Sequence, residues 1–216
     1  MNKNMIAPLT GVGFVVVAII SIIVMGGEPP GAEDPPSEIV QHYIDNKDAI
    51  FASGVIGVLA TALLVYFAAY LRKVLGAAEG TGGFVSTVGL VGASILAVGL
   101  AIDGTISIAL AEAADDVDPI AVQALQALWD NDFLPLALGL ALFFFSFGLS
   151  IVLTGALPKW LGWVAIVFGV AGVTPAFFVG FLGGALWILI VSVMLAMRTR
   201  PAAPAAPAAP ASPAAP

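Results

Sequence analysis

Long apolar runs constrain the fold of this chain more than any other feature. Six such segments can be marked: Ile6–Met25, Ala49–Leu71, Phe84–Leu110, Phe133–Leu157, Trp160–Phe177 and Phe181–Met197. A helix that crosses a bilayer needs about 20 apolar residues, within a range of about 17 to 25. Charged residues make up only 10% of the chain, against about 25% in a soluble domain. The sequence therefore predicts an all-α integral membrane bundle of six transmembrane helices.

The last two segments form one nearly continuous apolar stretch, from Trp160 to Met197. This stretch is too long for one span and just long enough for two. We expect the break in the sequence TPAFFVGFLGG, because Pro175 interrupts a regular helix and the glycines at 180, 183 and 184 permit a tight turn. A re-entrant hairpin is the alternative.

The two ends of the sequence differ, because the first is apolar and the second is rich in proline and alanine. Ile6–Met25 follows a lysine, as the core of a signal peptide would, but it is long and no small-x-small cleavage site follows it. We therefore expect an uncleaved membrane anchor. The C-terminal RPAAPAAPAAPASPAAP has alanine-spaced prolines, which favour an extended chain without a core. The predicted organisation is a transmembrane domain at 1–197 and a disordered cytoplasmic tail at 198–216, for which a docking site for a proline-binding module is the alternative.

The basic residues set the predicted orientation. With six spans, six of the seven basic residues fall on the side of both termini: Lys3, Arg72, Lys73, Lys159, Arg198 and Arg200. The positive-inside rule makes that side cytoplasmic. The opposite side carries only one base, Lys47, and twelve acids: Glu28, Glu33, Asp34, Glu38, Asp45, Asp48, Glu112, Asp115, Asp116, Asp118, Asp130 and Asp132. The sequence thus predicts a plasma-membrane protein with both termini inside and two acidic outer loops.

Each outer loop contains a predicted short amphipathic helix. In the first loop Ser37 can cap a helix whose apolar face holds Ile39, Val40, Tyr43 and Ile44. In the second loop Asp118 is the predicted cap and Pro119 the first helical residue. The apolar face of this second helix holds Val122, Leu125, Leu128 and Trp129. We expect both helices to lie in the outer membrane interface.

The two loops also resemble each other. The stretches VQHYIDN and LQALWDN place Asp45-Asn46 and Asp130-Asn131 at matching positions before an inward-running span. This match suggests a parallel internal repeat. One interpretation of the two pairs is that they cap the outer ends of the spanning helices, where free N–H groups and the positive dipole end attract them. The other is that they line an outer vestibule.

One carboxylate, Asp103, interrupts the third apolar segment at AIDGTISIAL. It lies roughly 10 Å below the outer end of the segment, on a stripe of mostly small residues: Gly89, Gly92, Leu96, Gly99, Asp103 and Ser107. Small residues let helices approach closely, so this stripe should face the bundle. We expect a candidate ion or proton site at Asp103, Ser107, Ser21 and Ser53, because ionisable groups within spans usually mark function. The alternative is an aspartate that hydrogen-bonds helices together or reaches the wet outer loops.

Several stretches carry a family resemblance. They are IVQHYIDN, AAYLRKVLGAAEG, the DP…LWDND loop and GALPKWLGWVAIVFGV, of which LPKWLGW at Leu157–Trp163 is the closest match. Together they resemble a family of bacterial polytopic membrane proteins that is defined by a domain of unknown function. The resemblance covers most of 1–197 and leaves out the tail. It implies a membrane location and a helical bundle of about six spans, and it supplies no catalytic or binding residues.

Composition excludes several classes of function. The chain has no cysteine and a single histidine, His42, which excludes disulfides, thiolate sites and multi-histidine metal sites. It lacks a basic patch for nucleic acid and the nucleophile–base sets of enzymes. We therefore expect no cofactor, no metal and no catalysis. The favoured hypothesis is a partner, sensor or envelope-associated protein that contacts another membrane protein or a second copy through its acidic outer loops. The alternative is a small ion- or proton-coupled transporter that uses Asp103.

Overall fold

Eight helices account for almost all of the chain that the structure describes. This computed structural model describes residues 3–27, 29–80 and 82–198, so the predicted tail lies outside the described residues except for its first position. The helices are α1 (Lys3–Met25), α2 (Pro36–Asp45), α3 (Lys47–Glu79), α4 (Phe84–Asp116), α5 (Pro119–Trp129), α6 (Phe133–Thr154), α7 (Lys159–Ala171) and α8 (Phe177–Arg198). The described ranges contain no strand, and the all-α class is confirmed.

Five stretches are long and apolar enough to cross a membrane, and they contain α1, α3, α4, α6 and α8. Both α3 and α4 have 33 residues, about 50 Å of helix, which is longer than the roughly 30 Å hydrocarbon core. By contrast α7 has 13 residues and spans only about 20 Å. These lengths indicate a multi-pass membrane protein.

Consecutive long helices pack against each other, and α1 also packs against α8, which closes the bundle. Among the described glycines, the closest approaches to the backbone of another helix are at Gly92 and Gly139, where α4 meets α6. A Cβ atom on Gly139 would lie only 2.3 Å from the backbone nitrogen of Leu96. Gly89, Gly92, Leu96 and Gly99 of the predicted small-residue stripe are buried in this contact. Further along the stripe, Asp103 is half-buried and Ser107 is buried.

The break between the last two helices lies earlier than predicted. It occupies residues 172–176, whereas Gly180, Gly183 and Gly184 lie inside α8. A Cβ atom on Gly180 would meet the carbonyl oxygen of Phe168 at 2.8 Å, and one on Gly184 would meet the ring of Phe144 at 2.4 Å. These glycines therefore serve close helix packing and do not form the turn. Pro175 does lie in the break, as expected of a residue that interrupts a regular helix.

The contact between α1 and α8 includes a side chain inserted into a helix ladder. Within α1, Val12 N–H donates to Ser192 Oγ at 3.1 Å, and the same hydroxyl donates to the carbonyl oxygen of Pro8. The hydroxyl thus lies between the two backbone groups that a regular α-helix would join directly. Ser192 is fully buried, and it connects the first helix of the chain to the last.

The two predicted outer helices are present as α2 and α5. The Asp118 carboxylate accepts a hydrogen bond from Ile120 N–H at 2.9 Å and Pro119 opens α5, as predicted. The predicted Ser37 cap is wrong. Here α2 begins at Pro36, after an N-cap residue, Pro35, that makes no side-chain cap bond. The proline fixes φ at a helical value, so the helix can start one residue before the serine.

Candidate functional site

A second, smaller core lies at the end of the bundle that carries α2 and α5. We call α2, α5 and the connecting segment 29–35 the cap. The buried residues of this core come from the cap and from the adjoining ends of α3 and α4, and they are Ile39, Tyr43, Ile50, Leu110, Ala111, Ala114 and Val122. Because this core is built from both predicted loops, the loops form one ordered unit with the bundle.

A buried hydrogen bond joins the two cap helices. Tyr43 Oη of α2 donates to Gln126 Oε1 of α5 at 2.8 Å, and Gln126 Nε2 donates to Asp130 Oδ1 at 2.8 Å. Burial, with the nearby charges of Asp130 and Asp103, raises the pKa of Tyr43 well above its usual value. The phenol therefore stays protonated and remains a hydrogen-bond donor at physiological pH.

The connecting segment is fastened to α5 by three hydrogen bonds. Ala32 N–H donates to Asp130 Oδ2 at 2.8 Å. Gln123 Nε2 donates to the carbonyl oxygens of Ala32 at 2.8 Å and Asp34 at 3.2 Å. The carboxylate of Asp130 thus joins the connecting segment to Gln126.

The matching Asp-Asn pairs make matching contacts, and these contacts are not the predicted caps of the spanning helices. Asn46 Nδ2 donates to the carbonyl oxygen of His42 at 2.9 Å, and Asn131 Nδ2 donates to that of Ala127 at 2.8 Å. Each asparagine therefore caps the carboxyl end of a cap helix. Neither α3 nor α6 receives a side-chain cap at its start, so the prediction that the pairs cap the spans is wrong.

The aspartates of the two pairs also behave alike. Asp45 accepts from Gln41 Nε2 at 2.8 Å, as Asp130 accepts from Gln126. Both contacts join residues four apart on one helix, which is the spacing at which helical side chains meet. The two pairs therefore form the same local arrangement at the ends of the cap helices, and the parallel internal repeat stays a prediction.

Asp103 lies beneath the cap, beside residues that the sequence did not connect with it. The indole of Trp129 lies near its carboxylate but forms no hydrogen bond with it. Asp132, at the start of α6, lies close enough for its charge to repel that of Asp103. Trp129 Nε1 and Asp132 Oδ2 are shielded from solvent and have no hydrogen-bond partner among the described residues.

The other members of the predicted ion site are not gathered around the Asp103 carboxylate. Ser107 Oγ donates to the backbone oxygen of Asp103 at 3.0 Å, one turn back on the same helix. Ser21 Oγ donates to the carbonyl oxygen of Ser53 at 2.8 Å and lies 3.0 Å from its hydroxyl. The described residues contain no hydrogen bond between this α1–α3 pair and Asp103. The serine pair therefore holds two helices together.

A small cavity lies between the cap and α4. Its volume is about 10 Å³, and it is lined by Met25, Pro29, His42, Tyr43, Ile50, Ser107 and Trp129. This is about the space that a single water molecule needs. Burial lowers the pKa of His42, while the charge of Asp45 acts in the opposite direction. Among the described residues, no group of three histidine, aspartate or glutamate side chains could hold a metal ion.

A second polar contact lies at the opposite end of the bundle, where Glu79 ends α3. Glu79 Oε2 accepts from Val85 N–H at 3.1 Å, and Glu79 Oε1 accepts from Ser86 N–H at 2.9 Å and from Ser150 Oγ at 2.6 Å. The carboxylate thus occupies the amino end of α4, where negative charge is stabilised, and it also binds α6. The contact holds three helices together.

Sequence reasoning missed four residues of the cap site: Tyr43, Gln126, Trp129 and Asp132. Tyr43 and Trp129 were assigned to apolar stripes, and Gln126 and Asp132 received no role. The spacing QALQALW does contain one signal, because its two glutamines lie three residues apart and so share a helix face. Comparison with family models, with curated proteins and with solved structures yields no match to the chain.

Proposed function

We propose that this chain is a non-catalytic plasma-membrane protein that binds another membrane or envelope protein through the acidic surface of its cap. The observation that carries the proposal is that the cap is held in one fixed arrangement. Its helices and connecting segment are joined by the hydrogen bonds of Tyr43, Gln123, Gln126 and Asp130. A preorganised surface loses little entropy on binding, which favours recognition.

The charge of the cap surface indicates the chemistry of that partner. The exposed acids of the cap and of the α3 and α4 ends beside it are Glu33, Glu38, Asp45, Asp48, Glu112, Asp115, Asp116, Asp118 and Asp130. Lys47 is paired with Asp115. Complementary potentials steer association, so we propose a partner that presents a basic surface.

The proposed topology has six spans, with the cap outside and both termini in the cytoplasm. In support, Arg198 Nη1 donates to the carbonyl oxygen of Ala156 at 2.6 Å, which brings the end of α8 to the α6–α7 turn near Lys159. Arg72 and Lys73 lie near the Glu79 end of α3. In this proposal α7 and the turns on either side of it form the short fifth span, with the re-entrant hairpin as the alternative.

Photo-crosslinking in the native cells tests the partner. A photoreactive amino acid at Glu38 or Glu112 should capture a distinct protein, whereas the same group at Leu138, on the exposed apolar face of α6, should not. Substituting Glu112→Gln together with Asp116→Asn should weaken the capture. Self-crosslinks alone would indicate a homo-oligomer without a separate partner, and no capture at either position would contradict the proposal.

A second candidate function is a proton- or ion-coupled carrier that uses Asp103. It is favoured by the buried polar atoms without partners at Trp129 and Asp132, which lie beside this carboxylate. Proteoliposomes should then carry a proton or cation flux that Asp103→Asn abolishes. The matched control is Asp48→Asn, an exposed acid in the first turn of α3 beside the cap. Equal flux in all variants, or none in the wild type, would exclude the carrier.

A further inference from the structure

The cap helix α5 exposes an apolar face. Its exposed residues are Pro119, Ile120, Ala121, Ala124, Ala127 and Leu128, and none of them is polar. Ile120 is 71% exposed and Leu128 55%. The glutamines of the helix face the other way, with Gln126 fully buried and Gln123 bound to the connecting segment. This arrangement is the reverse of that of a helix that faces water.

The neighbouring cap helix α2 has the ordinary arrangement. Its exposed residues are Ser37, Glu38, Gln41, Ile44 and Asp45, of which four are polar. Its buried residues, Ile39 and Tyr43, face the cap core. Since α2 and α5 pack against each other, the contrast indicates that the outer faces of the two helices meet different surroundings.

We infer that the exposed face of α5 lies against the lipid of the outer leaflet, at the boundary between acyl chains and headgroups, while α2 faces water. The inference does not depend on the proposed function. Continuity with α6 supports it, because α6 begins four residues after α5 ends and exposes Phe133, Leu134 and Leu138 in its first two turns. The apolar surface of a spanning helix thus continues onto α5.

The charges on and around this face indicate that it binds the apolar part of the lipid and not charged headgroups. The face from Pro119 to Leu128 carries no charge, and exposed acids flank it at Asp116, Asp118 and Asp130. Anionic headgroups would be repelled by these acids, so the contact rests on apolar burial. An interfacial helix of this kind buries its apolar face about 5–10 Å into the headgroup boundary. A second protein is the other occupant that could cover such a face, and the experiment below separates the two.

The absence of cysteine in the sequence makes the test direct, since single cysteines can be introduced and spin-labelled without background. The labelled positions are Ala124→Cys and Leu128→Cys on α5, Gln41→Cys on α2 as the water-facing control, and Leu138→Cys on α6 as the lipid reference. The protein is reconstituted in phosphatidylcholine vesicles. Collision of each label with dissolved oxygen and with a water-soluble nickel chelate is then measured.

We expect both α5 labels to resemble the Leu138 label, with high oxygen and low nickel accessibility, and the Gln41 label to show the reverse. Adding phosphatidylglycerol to the vesicles should leave the α5 values unchanged. Nickel accessibility at Ala124 and Leu128 equal to that at Gln41 would overturn the inference. So would protection of the α5 labels from both reagents, because that result means a protein covers the face.

Discussion

The segment from α1 to α3 and the segment from α4 to α6 share one plan, in which a long helix, a short cap helix and another long helix follow each other. In both, a glutamine bonds an aspartate four residues later, and the next asparagine caps the short helix. The second segment differs in burial. Gln126 is fully buried and bonds Tyr43, whereas the matching Gln41 is exposed. A repeated local motif therefore acquires different roles from the neighbours that the fold supplies.

The residue that follows each Asp-Asn pair also differs between the two segments. In the first segment it is Lys47, which forms an exposed ion pair with Asp115. In the second it is Asp132, which has a buried oxygen without a partner beside Asp103. At the matching glutamine and at the position after the pair, the first segment thus places its polar side chains in water. The second directs them into the bundle, where unpaired polar groups are costly.

The largest expected difference between the two segments is the loss of stability when a glycine in a contact between long helices is changed to alanine. Gly139→Ala forces a Cβ atom against the backbone of Leu96 in the second segment, where nothing can yield. We expect a loss of about 3 kcal/mol in the free energy of unfolding. The matched change in the first segment is Gly57→Ala, whose new Cβ atom would lie 3.6 Å from Ser21 Oγ. It should be neutral or stabilise by up to about 1 kcal/mol.

Thermal unfolding in detergent micelles measures both glycine variants. If the Gly139→Ala and Gly57→Ala proteins unfold at the same temperature, the α4–α6 contact must relax around the added methyl group. The two segments would then not differ in how tightly their long helices pack.

A smaller difference is expected at the two matching glutamines. Gln126→Leu leaves the Tyr43 hydroxyl buried without a partner, which should cost about 1–3 kcal/mol. Gln41→Leu changes an exposed residue and should stay within about 0.5 kcal/mol. Adding Tyr43→Phe to Gln126→Leu should recover part of the loss, because both polar partners are then gone. Chemical denaturation in mixed micelles checks the three variants, and similar losses at Gln126 and Gln41 would contradict the comparison.

The smallest effect is expected at Lys47. Its ion pair with Asp115 is exposed at both ends, and such pairs contribute little. Lys47→Met should lower the unfolding temperature only slightly and only at low ionic strength, because salt screens exposed charges. A loss that persists in high salt would show that Lys47 has a structural role beyond this pair.

Local chemistry made much of the fold predictable from the sequence. The apolar runs located the long helices, Asp118 with Pro119 located the start of α5, and Pro175 fell in the last break. The glycines of α8 were assigned to a turn because glycine serves both tight turns and close packing. The choice between those two uses depends on a partner, here Phe168 and Phe144, that lies on another helix.

The candidate site was less predictable, because its contacts join distant parts of the chain. Tyr43 and Gln126 are 83 positions apart, and nothing near either residue indicates the other. The apolar stripe predicted for α5 included Leu128, which is exposed, and omitted Gln126, which is buried. The rotation of α5 about its axis is set by its packing on α2 and α4, and the sequence of one helix does not contain that information.

The hydroxyl of Ser192 within α1 has a consequence for biogenesis. Before α8 is in place, the Val12 N–H and the Pro8 carbonyl can bond only to each other, as in a regular helix, and the inserted hydroxyl replaces that bond once α8 has docked. The altered turn of α1 therefore depends on a residue of α8 that lies 180 positions away from Val12 in the sequence. The inserted hydroxyl can therefore be accommodated only after α8 has entered the membrane, which makes the docking of α1 on α8 a late step of assembly.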